Sequence, residues 1–382
     1  MRIAYFTSAQ NAKDFDQFQK TWTLPLNTSS QVFNNRLIRS LALSNEVKVF
    51  SSRPYKKQYC IQQNYPAKTR EEKNIFWKYL AVGTNKFFTF LKQRFEVLSA
   101  KNREHKPDIV IADCMNIQSL LLARSYARKC KVPLIGILDD NPNTISDGNA
   151  FTSKFISSLS KRCKAYICIT EELNKLVNKK NKPHIVIDGV TEDVFREVSV
   201  DLRKYKRYFF YSGALTERYG IYNLIEAFKE LNRRDISLII CGYNKEEKLD
   251  EMVRGYNNIY YIGTLPSEVC LAYESNSIAN VNPKMYEPEL DKYSPPSKTI
   301  EYLSATSLTI STYLQNLYED FKYDALWIKD NYSLKEALYD AVNMKSQQRE
   351  EMIVSANITA NKKYSLKANN KKLESFLLSI KK

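Results

Sequence analysis

Short apolar runs alternate with segments of helical spacing along the whole chain. In the first half, the runs have the length of buried strands, and amphipathic segments such as Val32–Leu43 and Ile117–Ala127 lie between them. The predicted strands of this half are Ile3–Phe6, Val47–Phe50, Ile109–Ala112, Leu134–Leu138, Ala165–Ile169 and His184–Ile187. Because strands and helices alternate over short connections, we predict a parallel sheet with helices on both faces.

A second series begins at Tyr208 and includes a predicted helix over Tyr222–Leu231. Its predicted strands are Tyr208–Ser212, Ser237–Cys241, Ile259–Ile262, Ser277–Val281, Leu308–Thr312 and Leu326–Ile328. A polar, charged stretch around residues 191–207 separates the two series, and the length of 382 residues suits two domains. We therefore predict an α/β fold of two Rossmann-like, doubly wound domains, residues 1–190 and 191–364, that face a central cleft where ligands bind.

The formal charge of +16 is distributed unevenly. Residues 1–190 contain 31 Lys and Arg against 15 Asp and Glu, whereas residues 191–382 contain 27 of each. This asymmetry predicts that the first domain faces a polyanion, which could be an anionic membrane surface, nucleic acid or a phosphorylated substrate. A lysine-rich surface that serves only solubility explains the same balance.

Cysteine and histidine usage argues against a disulfide scaffold or a His/Cys metal site. The seven cysteines include no CxxC pair, and we expect them to be reduced, mostly buried thiols of a cytosolic protein. Only two histidines are present, so no His/Cys metal constellation can be drawn. No apolar run approaches the roughly 20 residues that span a bilayer. The first eight residues resemble a strand and not a signal peptide.

A polar loop passes abruptly into a predicted helix between Tyr293 and Leu303. Ser294, Ser297 and Lys298 lie at the helix start, and Glu301 lies one turn inside. Free backbone N–H groups, a hydroxyl and an ammonium together favour an anion, most naturally a phosphate. Glu301 could accept hydrogen bonds from a neighbouring ribose diol. An ordinary serine-capped helix with a solvated lysine is the alternative interpretation.

Five segments, in order, resemble the GT-B glycosyltransferases, in particular the retaining family 4 type (glycosyl transferases group 1) found among bacterial surface-polysaccharide enzymes. The segments are His184–Phe195, Tyr211–Ile221, Leu238–Tyr243, Tyr260–Pro266 and Tyr293–Glu301. They are similar, in turn, to the interdomain N-G-V-D element, the G-x-L…K-G-I element, two strand ends that carry glycine, and the E-x7-E element. Five such matches in the correct order are far more specific than any one of them. In the GT-B fold, the last helix, here about residues 365–382, returns to the first domain.

The resemblance assigns donor-binding roles to the helix start. Glu301 matches the glutamate that binds the ribose diol of a nucleotide sugar, and Ser297 and Lys298 match the positions whose N–H groups bind the diphosphate. Tyr293 stands where the family has a glutamate that contacts the transferred sugar. Tyr293 and Ser294 also match a Y-S-x-P-S-K-x-x-E-Y version of the element.

Further donor contacts are implied at the ends of the strands in the second domain. Gly213 and Gly242 would let the backbone approach the donor, although a tight turn explains any single glycine as well. Thr264 and Leu265 match the loop that, with Gly242, cradles the base. Arg218 lies next to the family's basic position, which Tyr219 occupies, and is expected to stabilise the departing phosphate.

The implied reaction is sugar transfer without a metal. Charge builds on the leaving diphosphate in an oxocarbenium-like transition state, and Lys298, Arg218 and the N–H groups would stabilise it. No DxD-type metal motif lies in a suitable loop, and the family's first-domain histidine has no counterpart. Asp140, after the strand Leu134–Leu138, could position or activate the acceptor hydroxyl. A helix N-cap or an Asx turn before Pro142 explains Asp140 equally well.

The segment Phe76–Lys106 combines aromatic and basic residues, which recur at helical spacing from Phe87 to Leu98, with Phe76, Trp77 and Tyr79 just before them. Its apolar positions are Phe87, Phe88, Leu91, Phe95 and Leu98, and its basic positions include Lys86, Lys92, Arg94, Lys101 and Arg103. Such a helix suits the interface of an anionic membrane. Packing on the domain's own core, with the lysines extended to solvent, explains the pattern equally well.

The sequence therefore predicts a glycosyltransferase that moves a hexose-type sugar from a nucleotide-sugar donor, UDP favoured and GDP possible, to a glycan acceptor. We expect the acceptor to be lipid-linked in capsule or other surface-glycan assembly, and the enzyme to work in the cytoplasm, peripherally at the inner face of the membrane. No cofactor, metal or nucleic acid is expected. The alternatives are a nucleotide-sugar epimerase of the same fold and a degenerate, non-catalytic partner subunit.

Overall fold

The chain folds into two compact units, which a computed structural model describes for residues 1–22, 28–54, 64–99, 106–143, 150–191, 200–205, 207–243, 246–285, 287–294 and 296–381. The first unit comprises Met1–Val190, Lys292–Pro295 and Leu366–Lys382. The second unit comprises Thr191–Asp291 and Pro296–Ser365.

The first unit is built on an eight-stranded sheet in the order β3-β4-β2-β1-β5-β6-β7-β8. Its strands, β1 to β8, are Arg2–Thr7, Glu46–Ser51, Lys68–Glu72, Ile75–Tyr79, Ile109–Asp113, Leu134–Leu138, Ala165–Cys168 and His184–Val186. All neighbours pair in parallel except β3, which runs antiparallel to β4. The central strands β5 and β6 are buried along their whole length, because helices cover both faces of a parallel sheet.

Among the described residues, six helices precede the second unit and one helix follows it. The six, α1 to α6, are Ala12–Gln19, Thr28–Leu41, Lys86–Val97, Ile117–Cys130, Ala150–Ser160 and Glu171–Val177. The last helix of the chain, Leu366–Lys381, packs on α2, where the Ser40 Oγ donates to the Leu366 carbonyl at 2.8 Å. Asn369 fixes the same helix, since its amide donates to the Gly189 carbonyl at 3.0 Å.

The second unit has a six-stranded, all-parallel sheet in the order β11-β10-β9-β12-β13-β14. Its strands, β9 to β14, are Arg207–Ala214, Ile236–Tyr243, Ile259–Tyr261, Ala279–Asn282, Leu308–Thr312 and Leu326–Ile328. Its helices, α7 to α14, are Ile221–Leu231, Glu247–Val253, Ser267–Ser275, Pro288–Asp291, Ser297–Leu303, Gln315–Phe321, Leu334–Asn343 and Ser346–Tyr364, and the chain's last helix, Leu366–Lys381, is α15. A 3-10 turn, Glu217–Tyr219, precedes α7.

The strands predicted from the pattern of apolar residues correspond to all strands of the structure except β3 and β4. The sequence interpretation placed Phe76, Trp77 and Tyr79 just before an aromatic–basic helical segment and assigned no strand to them. Ile75–Tyr79 is a strand whose alternate residues Ile75, Trp77 and Tyr79 are buried against β2. The charged strand Lys68–Glu72 gives no apolar signal, because it lies at the sheet edge with little of it buried.

The six described cysteines are free thiols, five of them buried and Cys270 half-buried, which is consistent with the reduced thiols predicted from the sequence. Two of them, Cys114 and Cys163, flank Gly136 so closely that a Cβ at this glycine would lie 2.5 Å and 2.9 Å from their sulfur atoms. The glycine therefore makes room for the two thiols in the core of the first unit.

Candidate functional site

The helix α11 carries three of the predicted donor-binding residues and is fixed to the sheet of the second unit by two buried side chains. The Asn282 amide, at the end of β12, donates to the Thr299 Oγ1 at 2.8 Å. The Tyr302 hydroxyl accepts from the Ser212 N–H, near the end of β9, at 2.9 Å. Since Thr299 and Tyr302 are fully buried, the turn that holds Ser297, Lys298 and Glu301 is set in a fixed place over the strand ends.

The start of α11 leaves its first N–H groups directed away from the helix body. The first hydrogen bond of the helix runs from the Ile300 N–H to the Pro296 carbonyl at 3.1 Å. Pro296 is the N-cap and makes no side-chain cap, while Ser297 is exposed. The serine-capped helix considered from the sequence is therefore not what forms here.

Lys298 lies between two carboxylates. Its Nζ is 3.5 Å from the Oε1 of Glu274 and 3.6 Å from the Oε2 of Glu301. Burial acts to lower the pKa of Lys298, but the charges of Glu301 and Glu274 outweigh it and hold this pKa well above its ordinary value. The ammonium is therefore positively charged at neutral pH, and 35% of the side chain remains exposed to a ligand.

Glu274 is the member of this group that sequence reasoning missed. The side chain is completely buried in α9, and the Ser212 Oγ donates to its Oε1 at 2.9 Å. A buried carboxylate must be compensated by charge or hydrogen bonds, and Lys298 with Ser212 supplies both. The sequence offers no signal for Glu274, because it lies in a short helix with no recognisable motif, 24 residues before Lys298.

Tyr293 and Ser294 belong to the first unit, whereas the rest of the predicted helix-start site belongs to the second. The Tyr293 ring is partly buried against a core cluster of the first unit, and the Lys292 ammonium lies 5.3 Å from the ring centroid. Ser294 is exposed. The segment that resembles E-x7-E is thus divided between the two units, and its two ends are held by different cores.

The close packing of the strands in the second sheet accounts for glycine at the strand end Gly242. A Cβ on Gly242 would lie 1.8 Å from the Gly213 carbonyl oxygen, so the two adjacent strand ends approach backbone to backbone. Thr264 donates to the Gly242 carbonyl at 2.9 Å, and Leu265 packs in a neighbouring core cluster. Gly213, Gly242, Thr264 and Leu265 therefore lie together at the carboxyl ends of the strands, where Gly242 is buried and Thr264 is exposed.

Arg218 lies in the 3-10 turn after β9 and is exposed. It forms an ion pair with Glu287 at 3.1 Å, in which both side chains are about half exposed. Tyr219, which stands at the family's basic position, has a second basic neighbour, because the Lys284 Nζ lies 5.8 Å from its ring centroid. Lys284 is also ion-paired with Asp291. Lys284 was not among the residues selected from the sequence.

Asp140 and its neighbour Asp139 have different environments at the end of β6. Asp140 is exposed, and its Oδ1 accepts a hydrogen bond from the Asn141 N–H at 2.7 Å. The Asx turn at this strand end is made by Asn141, whose Oδ1 accepts from the Asn143 N–H at 3.0 Å. Asp139 points inward, where its Oδ2 accepts from the Ser30 Oγ at 2.7 Å and from the Asn34 amide at 3.2 Å. Burial raises the pKa of Asp139 to about 6.

A second carboxylate, Asp113, ends the adjacent strand β5. It is 3% exposed, and its Oδ1 accepts from the N–H groups of Met115 and Asn116. Burial, and next the charge of Asp139, raise the pKa of Asp113 well above its ordinary value. The carboxyl ends of β5 and β6 thus hold the buried Asp113 and the partly buried Asp139, neither of which the sequence interpretation selected in place of Asp140.

Two kinds of feature are missing from the described residues. Within those ranges, no three His, Cys, Asp or Glu side chains are grouped so as to hold a metal ion. No helix in the part of the chain that the structure describes is both long and apolar enough to cross a membrane.

Comparison with known proteins finds a family match within the second half of the chain. A family model described as glycosyl transferases group 1 matches residues 195–313. This range contains Gly213, Gly242, Lys298 and Glu301. A search of the curated proteins finds no match to the chain.

Solved structures match the chain over its whole length. Sucrose-phosphate synthase from Thermosynechococcus elongatus has a TM-score of 0.68 and 12% identity, with 99% of this chain and 98% of that chain covered. A structure described as trehalose-6-phosphate from E. coli bound with UDP-2-fluoro glucose has a TM-score of 0.65 and 11% identity, with 99% of both chains covered. HepE from Anabaena, in complex with UDP and glucose, has a TM-score of 0.64 and 11% identity, with 99% of this chain and all of that chain covered.

The protein therefore has a GT-B fold, and its residues 195–313 match the glycosyl transferases group 1 model. The fold class predicted from the sequence is confirmed, and so is the enzyme class, a glycosyltransferase. At 11 to 12% identity, the likeness to these solved structures shows the fold alone. It does not identify the donor, the acceptor or the linkage.

Proposed function

We propose that the protein transfers a hexose-type sugar from a nucleotide-sugar donor to a glycan acceptor. The observation that carries the proposal is the turn of α11, which presents a protonated Lys298 and the carboxylate of Glu301 beside the end of β9. An ammonium suits a diphosphate, and a carboxylate suits a ribose diol. UDP-sugars are the favoured donors, since two structural neighbours are described with UDP or a UDP-sugar, and GDP-sugars are the alternative.

The reaction we propose needs no metal and retains the anomeric configuration. Lys298 and Arg218 would stabilise the negative charge that builds on the leaving diphosphate. Lys284, which lies over Tyr219, adds a third cation near the turn that carries Arg218. Retention is favoured by the family resemblance, and one neighbour, a trehalose-6-phosphate synthase, is described in terms of glycosyl transfer with retention.

The acceptor we favour is a lipid-linked glycan of bacterial surface-polysaccharide assembly, such as a capsule, reached from the cytoplasmic face of the membrane. The excess of Lys and Arg in residues 1–190 supports an anionic acceptor or surface. Several structural neighbours are sugar-phosphate synthases, so soluble sugar phosphates belong among the acceptors to be tested. Asp140 is proposed to position the acceptor hydroxyl. Asp113 and Asp139, at the ends of the neighbouring strands, are the alternative residues for this role.

Thermal unfolding with nucleoside diphosphates tests the donor site directly. A ligand at 100 times its Kd stabilises the folded state by about 2.7 kcal/mol, so UDP or GDP should raise the Tm by several degrees. Glu301→Ala should abolish this shift. Glu319→Ala, which removes an exposed carboxylate on α12 of the same unit, is the matched control and should keep it. If no nucleoside diphosphate changes the Tm of the wild-type protein, the proposed donor site is wrong.

A degenerate, non-catalytic partner subunit is the second candidate, because Tyr293 replaces the sugar-contacting glutamate and packs on the core of the first unit. A screen of nucleotide sugars with lipid-linked and sugar-phosphate acceptors separates the two. The degenerate subunit predicts a nucleotide-dependent Tm shift without turnover of any donor, whereas the transferase predicts release of the nucleoside diphosphate that depends on one acceptor.

A further inference from the structure

The helix α3, Lys86–Val97, has two opposite faces, and one of them packs on the core of the first unit. The inward face consists of Thr89, Phe90, Gln93 and Val97, which span an arc of about 100° at 3.6 residues per turn. Gln93 and Val97 are fully buried, and Phe90 packs against the core of the first unit. The Gln93 amide donates to the Ala81 carbonyl at 2.7 Å, so this face is firmly anchored.

The outward face of α3 is apolar as well. Phe87, Phe88, Leu91 and Phe95 lie within a second arc of about 100° on the opposite side of the helix. Phe87 is 66% exposed, Phe88 67% and Phe95 78%, and the rings of Phe87 and Phe88 touch edge to face at 5.8 Å. The alternative that these phenylalanines belong to the domain core is therefore wrong. Three exposed phenylalanines on one short helix are unusual for a surface that meets only water.

Basic residues border this aromatic face on both sides. Helical geometry places Arg94 beside Phe87 at one edge and Lys92 beside Phe88 at the other. Both are exposed, and no carboxylate of the described residues pairs with either of them. The one acidic residue of the helix, Glu96, is neutralised by Lys78 at 3.2 Å. The face is thus an aromatic patch with a positive border.

We propose that this outward face of α3 docks the protein on an anionic lipid bilayer, with the rings of Phe87, Phe88 and Phe95 at the acyl boundary and Lys92 and Arg94 against acidic headgroups. Aromatic rings with a cationic border are the composition that interfacial helices use. A protein partner is less favoured, since lysine is depleted in protein interfaces and the charge excess of this half suits a surface with many negative charges. The proposal rests on the proposed membrane location and names the surface responsible for it.

Co-sedimentation with vesicles tests the docking face. The wild-type protein should bind vesicles of equimolar phosphatidylcholine and phosphatidylglycerol, bind pure phosphatidylcholine weakly, and release at high salt. The triple variant Phe87→Ser/Phe88→Ser/Phe95→Ser should lose about tenfold or more of the bound fraction, as should Lys92→Glu/Arg94→Glu. The control Tyr323→Ser/Val354→Ser/Ile358→Ser removes three exposed apolar side chains from the second unit and should leave binding unchanged.

Single tryptophans add a local measurement. Phe95→Trp should show a blue-shifted emission with anionic vesicles, and Ile358→Trp, a 64% exposed position in α14, should not. The proposal is overturned if the wild-type protein does not bind anionic vesicles, if the two triple variants bind equally, or if the phenylalanine variant changes only self-association, which would identify a second copy as the occupant. The UDP-dependent Tm shift of the triple variant checks its folding. A failed vesicle experiment leaves that shift intact, so it is distinguishable from a failure of the proposed donor site.

Discussion

The Nζ of Lys298 lies 3.6 Å from the Oε2 of Glu301, one turn along the same helix, and 3.5 Å from the fully buried Glu274. The lysine expected to meet a diphosphate is thus held by two carboxylates before any ligand binds. Such a group fixes the position of the ammonium and keeps it protonated. The two carboxylates also place negative charge close to the proposed diphosphate site. Binding of the diphosphate therefore depends on where the ammonium of Lys298 is held, and not only on its positive charge.

We expect a double-mutant cycle to show coupling between Lys298 and Glu274. Lys298→Met leaves the buried Glu274 without its cation and should lower the free energy of unfolding by about 1–3 kcal/mol, less than for a fully buried pair because Lys298 is partly exposed. Glu274→Gln keeps the volume and the bond from Ser212. In the double variant, part of the loss should return, with a coupling of about 1–2 kcal/mol by urea unfolding. If the losses in the two single variants simply add in the double variant, Lys298 and Glu274 are not coupled.

Arg218 should matter for turnover and not for stability. Exposed ion pairs contribute about 0–1 kcal/mol, so Arg218→Ala should leave the Tm nearly unchanged. If the guanidinium meets the leaving diphosphate, removing it should lower kcat about 100-fold. Arg203→Ala removes another exposed arginine of the same unit, paired with Asp201 at 2.9 Å, and should have no effect on either quantity. Equal kcat values for the two variants would exclude Arg218 from the reaction.

Asp139→Asn should make the protein more stable at neutral pH. The pKa of Asp139 is raised to about 6 by burial, so between pH 4 and 6 the folded state holds a proton that the unfolded state has lost. Stability therefore falls as the pH rises through this window. The variant lacks this loss and should gain up to about 3 kcal/mol at pH 7.5, with little change at pH 4.

The matched control for this experiment is Asp330→Asn, at a side chain that is 80% exposed, which should not reproduce the gain in stability at pH 7.5. Urea unfolding of both variants at several pH values gives the measurement. If Asp139→Asn raises the free energy of unfolding equally at pH 4 and pH 7.5, the ionisation of the Asp139 carboxyl is not the cause of the gain. A loss of activity together with the gain in stability would mark Asp139 as a functional residue kept at a cost to the fold.

Gly242→Ala should be strongly destabilising. The new Cβ would lie 1.8 Å from the Gly213 carbonyl oxygen, so two strand ends would have to separate, at a cost we expect to exceed about 3 kcal/mol. Gly255→Ala is the control. That residue has a φ of +85° with nothing within 4 Å of the new Cβ, so only the left-handed strain of about 1–2 kcal/mol applies. Similar losses of Tm at the two positions would show that the close approach of the strands is not decisive.

Much of the fold could be read from local patterns. The strand Leu134–Leu138 was predicted with its exact bounds, and Ile109–Asp113 to within one residue, because a fully apolar run between polar turns has few alternatives to a buried strand. Edge strands behave differently. Lys68–Glu72 has almost no buried side chain, so nothing in its sequence distinguishes it from a loop.

The chain by itself determined two doubly wound domains, the concentration of positive charge in residues 1–190 and the helix that starts at Ser297, since apolar period, composition and helix-start residues are local properties. Only the tertiary structure decided which side of α3 is buried, that Tyr293 packs in the first unit, and that Glu274 holds Lys298. Each of these depends on contacts between segments far apart in the chain, and such contacts are chosen by how the elements pack, which no local pattern encodes.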